Sequence, residues 1–73
     1  MTANTFDEEV LNTEIRKFLK RVGITSQREI EMAVRRAATN GKLASDKPLV
    51  AEMVLSIPAL GLSHRIEGEI TLT

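Results

Sequence analysis

Apolar residues in the first part of the chain recur at the spacing of an α-helix. Between residues 10 and 22 they follow one another at short helical intervals, as Val10, Leu11, Ile15, Phe18, Leu19 and Val22. The segment Thr5 to Glu8 has the capping-box pattern that starts many helices. Gly23 is the residue type that most easily takes the left-handed conformation ending a helix. The pattern predicts a first helix over residues 5–22.

A second helical pattern follows after only three residues. Ser26 to Glu29 forms another capping box, and Asn40-Gly41 is a typical helix ending. The apolar positions between them again lie on one helical face: Ile30, Ala33, Val34 and Ala37. We therefore expect a second helix over about 26–40, joined to the first by a tight turn at 23–25.

The C-terminal third alternates with the period of two that is typical of β-strands. Every odd position from Leu49 to Ile57 is apolar, and a second alternation covers residues 62–72. A four-residue loop at 58–61 places Ile57 opposite Leu62 and fixes the rest of the register. That register sets Glu52 opposite Glu67 on the outer face, a mildly unfavourable pair of like charges.

Together these elements predict a single α+β domain over residues 1–73, in the order ααββ, with two helices (about 5–22 and 26–40) packed on one face of a hairpin (about 49–57 and 62–72). A chain of 73 residues is near the lower limit for independent folding. A two-stranded ribbon also leaves two open edges. Either the helices cover it or a second copy pairs with its edge, so a homodimer stays open.

Charge is balanced overall but unevenly distributed. The formal net charge is zero, while residues 14–42 hold eight bases against three acids. The chain has no cysteine, and its only aromatic residues, Phe6 and Phe18, offer no stacking platform for nucleic-acid bases. The first nine residues contain three acids and no apolar run, unlike a secretory signal, and no stretch is long and apolar enough to span a membrane. We expect a cytoplasmic protein without membrane contact.

Bases concentrate near the end of the first predicted helix. Four of them form like-charge pairs four residues apart, which are unfavourable in an isolated helix but are offset near its C-terminus. One interpretation is a solvated face; the other is a surface for an anionic partner, extended by bases of the second predicted helix. The candidate binding residues are Arg16, Lys17, Lys20, Arg21, Arg28, Arg35 and Arg36.

Two helices followed by a hairpin also invite comparison with winged helix-turn-helix DNA-binding domains. Against this comparison, Glu29 stands where such motifs usually bury an aliphatic residue, and Leu19 stands where a small residue lets the helices cross. Glu29 and Glu31 also dilute the positive charge of the helix that would read DNA. Nucleic-acid binding through a helix-turn-helix-like basic surface is the alternative function.

No pattern indicates catalysis. His64 is the only histidine, and on the predicted strand it lies on the apolar face, away from Ser63 and Glu67. We expect a partly buried, hydrogen-bonded histidine, with a pH-sensitive packing switch as the alternative. A metal site needs three or four ligands, and no such spacing is present. We predict no enzymatic activity, no cofactor, no metal and no small-molecule substrate.

The segment Ile15 to Glu31, IRKFLKRVGITSQREIE, resembles a family of small bacterial proteins classed as a domain of unknown function. The tail from Gly61 to Ile70 is similar to the ending of that family. The resemblance spans about Leu11 to Leu72 and implies a bacterial cytosolic protein of about this length, without an activity or ligand to carry over. We expect a noncatalytic interaction module whose partner is a protein, with a second copy of the chain as one candidate.

Overall fold

The structure, a computed structural model, describes residues 5–73 as one long helix followed by a β-hairpin. Helix α1 runs over Glu8–Thr39, and the strands β1 and β2 run over Leu49–Ile57 and Leu62–Ile70. The fold is therefore α+β, as predicted. The chain divides into two compact units, one that contains α1 and ends at Lys42, and one that runs from Leu43 to Thr73.

Helix α1 begins at an aspartate cap. The backbone of Asp7 is extended, and its carboxylate accepts hydrogen bonds from the amides of Glu9 at 2.8 Å and Val10 at 3.2 Å. Two of the amides that have no partner inside the helix are satisfied in this way. Glu8 and Glu9 add negative charge at the positive end of the helix dipole. The predicted start at Thr5 is three residues early.

The prediction of two helices is wrong, because α1 continues through Gly23 as one helix of 32 residues. Gly23 does not have a positive φ, and none of the residues 23–26 leaves the helical conformation. Ending one helix and starting another leaves four carbonyls and four amides without helical partners. A glycine inside a helix costs only about 1 kcal/mol relative to alanine. Continuing the helix therefore costs less free energy than ending it at Gly23.

The glycine-terminated ending expected at Gly23 occurs instead at Gly41. Gly41 has φ 69°, its amide donates to the carbonyl of Ala38 at 3.2 Å, and the amide of Lys42 donates to Ala37 at 2.9 Å. These two bonds form a Schellman motif. The predicted end of the helical region at Asn40-Gly41 is confirmed.

The hairpin has the register that the sequence predicts. Strands β1 and β2 are antiparallel, with Ile57 opposite Leu62, Leu55 opposite His64 and Leu49 opposite Ile70. A 3₁₀ turn over Pro58–Leu60 and a left-handed Gly61 connect them, and the Gly61 amide donates to the Pro58 carbonyl at 3.0 Å. Strand β2 ends at Ile70, two residues before the predicted end at Leu72.

Arg65 offsets the like-charge pair on the outer face of the hairpin. Glu52 and Glu67 are directly opposite, as predicted. The guanidinium of Arg65 contacts both carboxylates, with Nε 2.9 Å from Glu52 Oε1 and Nη2 paired with Glu67 Oε2. The outer face therefore carries a three-residue charge network in place of an uncompensated repulsion.

Candidate interaction surface

All seven predicted binding residues lie on α1, and all are exposed. On a continuous helix with 100° between residues, four of them fall within about 40° of one another, and Arg21 is the one that lies nearest to the main apolar positions. These four, which we call the basic face, are Lys17, Arg21, Arg28 and Arg35. Arg16 and Lys20 lie to one side of this face, and Arg36 lies to the other. The continuous helix thus aligns bases that a turn at Gly23 would have separated.

Two acidic side chains are engaged locally on or beside the basic face. Lys17 Nζ lies 3.2 Å from Glu14 Oε2, and Gln27 Nε2 donates to Glu31 Oε2 at 3.1 Å. Glu31 therefore accepts from Gln27, although Arg35, four residues further along the helix, is also at a distance that allows pairing. Within residues 5–73 no ion pair involves Arg35, so its guanidinium is available to a partner.

Helix α1 also carries a continuous row of mostly apolar positions, which we call the apolar stripe. Its members follow at intervals of three or four residues along the whole helix: Leu11, Ile15, Phe18, Val22, Ser26, Ile30, Ala33 and Ala37. Phe18 is 51% exposed and Ile15 46%, while Val22, Ser26 and Ala37 are half-buried. Within the described part of the chain, no side chain is fully buried.

Charged residues follow one edge of the apolar stripe only. This charged edge consists of Glu14, Arg21, Glu29 and Arg36, each immediately before a stripe position. The opposite edge consists of Asn12, Leu19, Gln27 and Val34, which carry no charge. Sequence reasoning missed Glu14 and Glu29 as members of a surface, because the break expected at Gly23 placed the two halves of this edge on different helices.

The hairpin presents apolar side chains on both faces. Met53, Leu62 and Ile66 lie on the face predicted to be apolar, yet all three are exposed. His64 lies on the same face opposite Leu55 and is exposed, in contrast to the partly buried histidine that we expected. On the outer face Val50 is 78% exposed.

Among residues 5–73 there is no group of three or more histidine, cysteine, aspartate or glutamate side chains that could hold a metal ion. A shallow depression on α1 is lined by Lys17, Lys20, Arg21, Ile24 and Thr25, which include no carboxylate or imidazole. Within the same range, no helix combines the length and apolar character needed to cross a membrane.

The comparison with known proteins agrees with the resemblance seen in the sequence. No curated protein and no solved structure matches the chain. The model of one protein family matches residues 6–73, which include the whole of α1 and the hairpin. The chain belongs to the family described as Family of unknown function (DUF6494).

Proposed function

We propose that this chain is a noncatalytic protein-interaction module of the cytoplasm whose main contact surface is the apolar stripe of α1. The observation that carries the proposal is the exposure of large apolar side chains along this stripe, with Phe18 51% and Ile15 46% exposed. Burying one such side chain contributes about 1.5–3 kcal/mol. Contiguous apolar surface of this kind is typical of sites that bind another protein.

The length of α1 supports a partner from outside the chain. A helix of 32 residues spans about 48 Å, whereas a strand of nine residues spans about 30 Å. The packing of helix on hairpin stays a prediction. The apolar stripe, from Leu11 to Ala37, spans about 39 Å, so even a hairpin lying lengthwise on it leaves about a quarter of it uncovered. Protein contacts at the remaining part would bury what the hairpin cannot reach.

Site-specific photo-crosslinking in cells tests this proposal. A benzophenone side chain in place of Phe18 lies on the apolar stripe, and the same probe in place of Lys20 lies about 160° around the helix from it. We expect the Phe18 probe to give discrete protein adducts, including adducts between copies of the chain, and the Lys20 probe to give few. Equal or absent adducts at both positions would contradict the proposal.

The basic face supports a second candidate, nucleic-acid binding. Lys17, Arg21, Arg28 and Arg35 lie along about 27 Å of one helical face, a spacing that can follow a phosphate backbone. The turn that a helix-turn-helix needs is not present in α1, so the candidate now depends on this single basic helix. Affinity for duplex DNA that falls steeply with salt, and is lost in Arg28→Glu, would favour it. The same face also suits an acidic protein.

A further inference from the structure

The positions of the apolar stripe are arranged symmetrically about the middle of α1. Its eight positions form four pairs at equal distances from Ile24: Leu11 with Ala37, Ile15 with Ala33, Phe18 with Ile30, and Val22 with Ser26. In every pair the N-terminal member has the larger side chain. A two-fold axis near Ile24, perpendicular to the helix, would place each member against its counterpart in a second, antiparallel copy.

Such a pairing matches large side chains with small ones. In a two-fold interface, residue i contacts residue j and residue j contacts residue i. Phe18 of one copy would face Ile30 of the other, and Leu11 would face Ala37. Alternation of large and small residues lets facing layers interdigitate at the density of a protein interior. A homodimer would therefore cover the stripe along its whole length, in place of the predicted packing of the hairpin on it.

The charges beside the stripe are arranged symmetrically about Thr25, one residue from the centre of the stripe. In the antiparallel dimer the two-fold axis is perpendicular to both helices and runs between them. Rotation about this axis leaves the charged edges of both copies on the same side of the dimer, where they lie next to each other. Glu14 and Arg36 lie eleven residues from Thr25, and Arg21 and Glu29 lie four residues from it. Glu14, which also pairs with Lys17 of its own helix, would then face Arg36 of the second copy. Arg21 would face Glu29 of that copy. Symmetry doubles these to four pairs of opposite charge.

A parallel pairing of the two helices would match neither the large with the small stripe residues nor the opposite charges of the charged edges. It places each stripe residue against its own copy, so that Phe18 faces Phe18 and Ser26 faces Ser26. It also sets the charged edge of one helix against the uncharged edge of the other, which leaves the four charges without partners across the interface. Opposite charges at such flanking positions are what sets partner choice and orientation in paired helices.

We propose that α1 pairs antiparallel with α1 of a second copy of this chain, centred near Ile24, through the apolar stripe and the ion pairs Glu14–Arg36 and Arg21–Glu29 between copies. This inference rests on the proposed function and names its partner. The sequence analysis expects self-association at the hairpin edge, whereas this proposal assigns it to the helix. Arg21 and Glu29 are eight residues apart on one helix, too far for contact within a copy, so coupling between them reports on the dimer.

Charge reversal in the full chain tests the pairing by sedimentation equilibrium. Arg21→Glu alone and Glu29→Arg alone each place like charges together twice per dimer, and we expect each to raise the dimer Kd about tenfold or more. The double variant R21E/E29R restores both pairs in reversed order and should return the Kd to within about threefold of the starting value. Lys20→Glu and Glu31→Arg make the same charge changes on the far face and should leave the Kd unchanged.

A chain that stays monomeric, or a double variant no better than its singles, would overturn the antiparallel pairing. Circular dichroism of each variant establishes that the helix content is retained, so that a change in Kd reflects the interface. A monomeric chain whose Phe18 probe still cross-links to another protein would overturn this inference and leave the proposed function standing. A Phe18 probe that captures no protein would overturn the proposed function itself.

Discussion

Arg65 Nε lies 2.9 Å from Glu52 Oε1 across the outer face of the hairpin, although Arg65 is paired in register with Val54. The contact is therefore diagonal, and the same guanidinium also pairs with Glu67 two residues along its own strand. Diagonal neighbours in an antiparallel pair are within reach of long side chains. One arginine thus compensates both members of a like-charge pair that strand register alone would leave in conflict.

Replacement of Arg65 by alanine should destabilise the hairpin by about 0.5 kcal/mol, because the pairs are exposed and solvent weakens each of them. Urea unfolding monitored by circular dichroism measures the change. The double variant R65A/E52Q removes the repulsion as well as the arginine and should recover most of the loss. If R65A were as stable as the starting chain, the network would make no net contribution.

Replacement of Gly23 by alanine should stabilise or destabilise the protein according to the backbone conformation at this residue. In the helical conformation an added Cβ meets no atom within 4 Å, so Gly23→Ala should stabilise α1 by about 0.5–1 kcal/mol. If Gly23 instead ended a helix in the left-handed conformation, alanine there would destabilise it. Gly41, with φ 69°, is the matched control, and Gly41→Ala should lower the thermal midpoint that Gly23→Ala raises.

The register of the hairpin is predicted correctly from the sequence and the continuity of the helix is not, and this difference has a physical cause. A period of two moves every side chain to the wrong face if the register slips by one residue, so the alternation and the turn at Pro58 to Gly61 fix the pairing of β1 with β2. The sequence pattern determines the ends of a helix less strictly than the register of a hairpin. Ser26 and Gly23 resemble cap and stop residues, but both are tolerated inside a helix, and the apolar row passes through Val22, Ser26 and Ile30 without a break.

The start of α1 gives a third test, because sequence and structure name different caps. Asp7→Ala removes an acceptor for two backbone amides and should destabilise the helix by about 1 kcal/mol. Thr5→Ala changes the cap predicted from sequence and should have little effect. Asp7→Asn keeps an acceptor and should retain most of the stability. Helix content and thermal midpoint by circular dichroism compare the three variants, and a larger loss in T5A would contradict the structure.

The candidate surface was only partly predictable for the same reason as the helix. The sequence predicts seven basic residues as a binding surface; all seven are exposed on α1, and their role in binding stays a prediction. Their alignment on one helix is not predicted, because a corner at Gly23 would point Arg28 and Arg35 in a different direction from Lys17. The charged edge was hidden in the same way, since Glu29 reads as a cap residue of a second helix until the helix is known to be continuous.

The antiparallel pairing predicts that the stability of α1 depends on protein concentration. A second copy that binds only the folded helix stabilises it by mass action, so the thermal midpoint at 222 nm should rise over a hundredfold increase in concentration. Phe18→Ala removes two large side chains per dimer from the interface and should lower the midpoint most at high concentration. Arg28→Ala changes the opposite face and is the control, expected to shift the midpoint equally little at all concentrations. A midpoint that is the same across this range would mean that α1 is stable without a second copy, and the loss in F18A would then be independent of concentration.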